Sequence, residues 1–136
     1  MYKLVRTTFV TEKLEFKNNH LKPGNFKLKP TLSRRTGKIN QNVFFTTLVL
    51  SVENNELYPF PVDLFVEFRG IFEFKDIDNE SEIMEFLKIE AVNIMFPYLR
   101  SITTNLTTTA MMPPIVLPIV DVKKLFKDDS DSVYIN

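Results

Sequence analysis

Residues 60–75, FPVDLFVEFRGIFEFK, decide the fold. Val62, Leu64, Val66, Phe68, Phe72 and Phe74 occupy even positions, whereas Asp63, Phe65, Glu67, Arg69, Ile71, Glu73 and Lys75 occupy odd ones. Successive side chains of a strand point to opposite faces. This two-residue period is therefore a long strand with one apolar face and one charged face that carries two apolar islands, Phe65 and Ile71. The apolar face needs a cover, and the next residues along the chain are the place to look for a helix.

Residues 78–109, DNESEIMEFLKIEAVNIMFPYLRSITTNLTTT, supply it. Asn79 with Glu82 three positions later is a helix start in which each side chain satisfies an orphan amide of the first turn. Ile83, Leu87, Ala91, Ile94, Leu99, Ile102 and Leu106 then keep close to helical spacing. Pro97 interrupts the series. It lacks an N–H and its ring clashes with the carbonyl four residues back, so it belongs in a first turn or at a kink. The expectation is a short helix before about residue 90 and a longer one whose opening turns hold the proline, or one kinked helix. The threonines at 107, 108 and 109 mark the helix end. Beyond them MMPPIVLPIV, 111–120, cannot be a central strand, because Pro113, Pro114 and Pro118 have no ladder donor; an extended, stiff segment with exposed apolar side chains is expected. DVKKLF, 121–126, reads as a turn of helix capped by Asp121, and 128–136 as a mobile polar tail.

Upstream, Val10, Leu14 and Phe16 alternate with Lys13, Glu15 and Lys17, a half-buried strand over 10–16. After the turn HLKPGN, Phe26, Leu28 and Leu32 repeat the pattern against Lys27, Lys29 and Ser33, with Pro30 an irregularity and Gly37 ending the run. NVFFTTLVLSVEN, 42–54, is apolar on both faces, as a strand covered on both sides would be. Four strands with short connections favour an antiparallel meander, since parallel neighbours need long crossovers. The expected class is α+β: a four-stranded antiparallel sheet with a long helix and a short C-terminal helix packed on one face, in one domain over 1–127.

Composition narrows the function. Seventeen basic residues balance seventeen acidic ones, so no global field points to nucleic acid or an anionic membrane. No cysteine occurs, and no run of about 18 uncharged apolar residues suits a membrane span. The first residues, MYKLVRTTFV, hold no apolar run long enough for a signal sequence, and a cytoplasmic protein is expected. The single histidine, His20, sits in a polar turn with no second metal ligand of its kind, and three glycines make no phosphate loop. Asp128, Asp129 and Asp131 lack the glycine and closing glutamate of a calcium loop. Glu80, Glu82 and Glu85 at a helix start are accounted for by the macrodipole. Neither catalysis, nor a metal, nor a cofactor is expected.

What stands out is surplus apolar surface: thirteen phenylalanines, the two-sided strand at 42–54, Phe65 and Ile71 among charges, and the Met111–Met112 pair before the prolines. Such surfaces serve either as an oligomer interface or as adaptable contacts for apolar chains. Here the sequence resembles a known family. NIMFPYLRSITTNLTTTAMMPPIVLPIVDVKKLF, 93–126, is similar to the characteristic region of the SecB export chaperones, through Asn93, Ile94, Met95, Phe96, Pro97, Tyr98, Arg100, Pro113, Leu117, Leu125 and Phe126. VTEKLEF, LVLSVEN and VEFRGIF match the family's strand order more loosely, for a coverage of about 10–126.

The resemblance implies a four-stranded sheet with helices on one face, dimers that pair into tetramers, and no catalysis. It implies clients that are unfolded, export-bound polypeptides held in hydrophobic grooves, with delivery to the translocation motor SecA. On this chain the groove would draw on Phe26, Leu28, Tyr98, Met112, Ile115, Leu117 and Phe126, and motor docking on Phe65 and Glu67. Lys13 and Lys17 stand where the family pattern is acidic, and the end, KDDSDSVYIN, lacks the family's small basic motor-binding terminus; both features oppose SecA coupling. Two other readings remain beside a general holdase: a SecB-fold protein dedicated to one partner, such as an antitoxin, and a small-molecule carrier that uses the aromatic pocket.

Overall fold

From Val62 to Phe74 every even residue is buried and every odd residue from Asp63 to Glu73 is half-buried, so the alternation read from the sequence is the boundary between core and outer face. The computed structural model of the chain describes residues 1–127 and 130–135. Asp128, Asp129 and Asn136, in the stretch expected to be a mobile tail, lie outside the described residues. The elements are β1 (Lys3–Asn18), β2 (Thr31–Lys38), β3 (Val43–Val52), β4 (Val62–Lys75), α1 (Glu80–Lys88), α2 (Glu90–Thr109), α3 (Val122–Leu125) and β5 (Ser132–Tyr134).

The architecture is α+β with one antiparallel sheet, but the sheet has five strands rather than four, in the order β1-β4-β3-β2-β5. Only β2, β3 and β4 form a meander. β1 lies beyond β4, which gives a Greek-key order, because residues 19–30 carry the chain away from the edge of β1 before β2 begins. The fifth strand comes from the stretch read as a polar tail. Its Val133 and Ile135 are the short apolar alternation that lets it return to β2, and Ile135 is buried.

Strand limits also moved, for identifiable reasons. β1 runs well beyond the expected 10–16 and carries irregularities between Leu4 and Arg6 and between Thr11 and Lys13. Each extra residue reverses the facing of the rest of the strand, so Val10, opposite Arg69, and Leu14, opposite Val66, are on different faces despite their even numbers. β2 begins at Thr31, leaving Phe26 and Leu28 in an extended segment before it, and it continues through Gly37. A Cβ at Gly37 would come 2.6 Å from the Phe45 ring, so glycine here lets that ring lie across the strand.

Even residues of β2, β3 and β4 meet the helices in one core. Gly70 interrupts the bulky series of β4 where α2 crosses it: a Cβ there would stand 2.8 Å from Met95 Sδ. Phe74 and Phe86 meet edge to face at 5.4 Å, as do Phe72 and Phe86, which adds directional packing to their burial. Asn79 caps α1 by accepting from Ser81 N–H, and Asp121 caps α3 by accepting from Lys123 and Lys124. Ile89 separates α1 from α2 and resets the helical phase, so Val92, Met95 and Phe96 are buried in α2 while Ile94 is exposed. Pro97 is not in the first turn. It lies inside α2 on its exposed side, as does Asn93, whose carbonyl it cannot serve.

α2 ends in two reversed hydrogen bonds, Met111 N–H to Thr108 O and Met112 N–H to Thr107 O, with Met111 at φ 61°. Glycine is the usual occupant of that left-handed position. Because Met111 is 90% exposed it contributes no packing, and Met111→Gly should stabilise the chain by about 1 kcal/mol, roughly 4 °C in melting temperature. A melting temperature that falls would show that the methionine is held there by contacts outside this chain.

Candidate peptide-binding groove

Beyond Met112 the prolines keep 113–120 out of the sheet, and α2 holds the segment by side chains instead. Thr107 Oγ1 accepts from Ile115 N–H at 3.0 Å, and Thr104 Oγ1 donates to Ile115 O at 2.8 Å. With both backbone groups of Ile115 tied down, the extended chain alternates: Ile115 and Leu117 turn inward, Val116 and Ile119 outward. Facing this segment is the stretch before β2, where Phe26 and Leu28 are half-buried and the Phe26 ring meets Phe60 edge-on at 6.4 Å.

Between the two walls runs an open cavity of about 250 Å³ lined by Phe26, Leu28, Phe60, Met112, Ile115 and Val116, with Val62, prolines and Thr107 completing it and, among the described residues, no charged side chain. Its chemistry is apolar and non-directional, so it suits side chains of an extended polypeptide. The reverse side of the 26–30 stretch differs. There Lys27, Lys29, Tyr58 and Tyr134 line a second cavity of about 250 Å³. Lys29 Nζ lies 4.0 Å from the Tyr58 ring centre and donates to its hydroxyl, which holds the Tyr58 phenol below its ordinary pKa.

Of the residues expected in the groove, the structure brings together Phe26, Leu28, Met112 and Ile115. Three stand elsewhere. Tyr98 stacks on Phe9 at 4.8 Å on the far side of α2, Leu117 is sealed in the core, and Phe126 is buried beneath the Arg34 guanidinium at 4.2 Å. Phe60 and Val116 were not anticipated, nor was the threonine clamp. Thr103, Thr104 and Thr107 recur at helical spacing just before the prolines, and that was the available signal.

The expected docking pair, Phe65 and Glu67, is half-buried on the outer face. Lys13 pairs with Glu67 across the β1–β4 ladder, bonds Glu15 at 2.7 Å and lies 5.4 Å from the Phe65 ring centre. Its ammonium is held above the ordinary lysine pKa by Glu15 first and by Glu67. Lys17 likewise faces Asp63. Among the described residues no group of three or more histidines, cysteines or acids is placed to hold a metal ion, and no helix is long and apolar enough to cross a membrane.

The fold matches that of a solved SecB-like protein. A SecB-like chaperone of Mycobacterium tuberculosis, solved in complex with a ChAD peptide from the HigA1 antitoxin, superposes with a TM-score of 0.57 over 88% of this chain and 87% of its own, at 16% identity. Residues 11–132 match the family described as preprotein translocase subunit SecB, and the chain belongs to that family. An uncharacterized protein of Methanocaldococcus jannaschii is 27% identical over 121 residues, 85% of this chain and 77% of the relative. The protein-export protein SecB of Bartonella quintana is 33% identical over 91 residues, 67% of this chain and 55% of its own length. That of Nitrosomonas europaea is 26% identical over 102 residues, 75% and 62% respectively.

Proposed function

We propose that this chain is a holdase that keeps unfolded polypeptides in its apolar groove. One observation carries the reading: after the core is complete, a charge-free trough bounded by Phe26, Phe60, Met112 and Val116 is still open. An extended client gains roughly 25 cal/mol for each Å² of apolar surface buried there, with little preference for sequence. Membership of the SecB family supports clients that are export-bound, and a cytoplasmic setting. A homo-oligomer, a dimer or dimer of dimers, is supported by the exposed Leu4, Val5, Val10 and Leu14 on the long edge strand β1. Stoichiometric suppression of aggregation of a chemically denatured protein, measured beside the oligomer mass, tests the reading; aggregation that proceeds unchanged at equimolar chain rejects it.

A second reading is favoured by Lys13, which stands where the family pattern is acidic, pairs with Glu15 and faces Glu67 across the ladder. Docking to the SecA motor at Phe65 and Glu67 is then weak, and the groove serves one dedicated partner; the mycobacterial neighbour, solved in complex with a peptide from an antitoxin, is consistent with this reading. Affinity capture that returns one protein rather than a spread of unrelated clients distinguishes it from general holding.

A further inference from the structure

The sheet edge that leads into the groove is occupied by the chain itself. β5 pairs antiparallel with β2 through Thr31↔Tyr134, Leu32↔Val133 and Ser33↔Ser132. The ladder extends past both ends of the strand, with Ile135 N–H to Pro30 O at 2.8 Å and Arg34 N–H to Asp131 O at 2.9 Å. An antiparallel line running from Ser33 to Pro30 points on toward Leu28 and Phe26, which wall the groove. The edge that β5 pairs with is thus followed directly along the chain by the stretch that walls the groove.

The resident strand also displays what the edge accepts. From Ser132 to Ile135 it is uncharged and extended, with Val133 half-buried and Ile135 buried on the core side, and Tyr134 outward beside Lys29 at 4.6 Å. Ahead of it Asp131, itself 61% exposed, reaches the Arg34 side chain, which is 2% exposed and keeps two further contacts, the Lys88 carbonyl and the Phe126 ring. We infer that β5 is a displaceable occupant of a client-binding edge: an extended segment of a client, apolar at alternate residues and preceded by a carboxylate for Arg34, takes over the pairing with β2 and continues into the groove. This rests on the holdase reading. Exchange is nearly balanced in main-chain hydrogen bonds, because the entering strand remakes those that β5 gives up. A three-residue strand at the edge belongs to the least stable part of a sheet, while the groove contacts are available only to the longer client.

The test exploits a chain without cysteine. Ser33 and Ser132 are directly opposed next to the Arg34–Asp131 hydrogen bond, at the closer, non-hydrogen-bonded type of pair that a disulfide can span. The full-length Ser33→Cys, Ser132→Cys variant therefore locks β5 when oxidised and frees it when reduced. The probe is a fluorescently labelled, reduced and carboxymethylated α-lactalbumin, read by anisotropy. The reduced variant should bind like the parent and the oxidised variant about tenfold more weakly, since the lock removes the open fraction. Val133→Pro, which deletes a ladder donor, should bind at least about threefold more tightly for the same reason. Oxidised and reduced forms that hold the probe equally, with the parent binding it, overturn this inference and leave the holdase reading standing. A parent that does not bind the probe takes both down.

Discussion

Met112→Asp should lower the capacity of the chain to hold a denatured protein about tenfold, while its melting temperature should stay within about 3 °C of the parent. The side chain of Met112 is half-buried at the mouth of the groove, so in the free chain the carboxylate remains in water and folding is spared. A client that covers it must strip that water without offering a partner, at about 1–3 kcal/mol, which is the source of the lost affinity. Ile119→Asp is the matched control: it adds the same charge at an 89% exposed position outside the groove and should leave holding intact. Equal losses in both variants would mean that net charge, and not the groove, governs binding.

Leu117→Asp has a different outcome, although its residue lies only two positions beyond Ile115. Its side chain is 1% exposed, within the core cluster that includes Leu99 and Val122. A carboxylate there loses the packing of a buried leucine and is stripped of water, which costs about 4 kcal/mol or more. Against a total stability of about 5–15 kcal/mol this brings the chain close to unfolding at ambient temperature. Circular dichroism melting should show a loss of more than about 15 °C, or no cooperative transition at all. A normal melt would place Leu117 on the groove side after all and return it to the binding surface.

The contrast between these neighbouring residues shows what was legible. The alternation of β4, the apolar character of β3, the caps at Asn79 and Asp121 and the exclusion of the proline segment from the sheet are products of local chemistry, and each is seen in the structure. β1 was read less well because two irregularities within it reverse the facing of the residues beyond them. Tyr98 and Phe126 were assigned to the groove by resemblance, and nothing in their own sequence context says that one stacks on Phe9 and the other lies beneath Arg34.

By itself, then, the sequence determined that β1 to β4 and the helices exist, where α1 and α3 are capped, and which face of β4 is buried, because periodicity and capping act over a few neighbouring residues. Three features were decided only by the tertiary structure: β1 beside β4, β5 on the edge of β2, and Phe26 and Leu28 opposite Met112 and Ile115. Each joins segments far apart in the chain. Such pairings are selected by the closure of the whole core and the satisfaction of backbone groups at its edges, and they leave no periodic trace in the residues that make them.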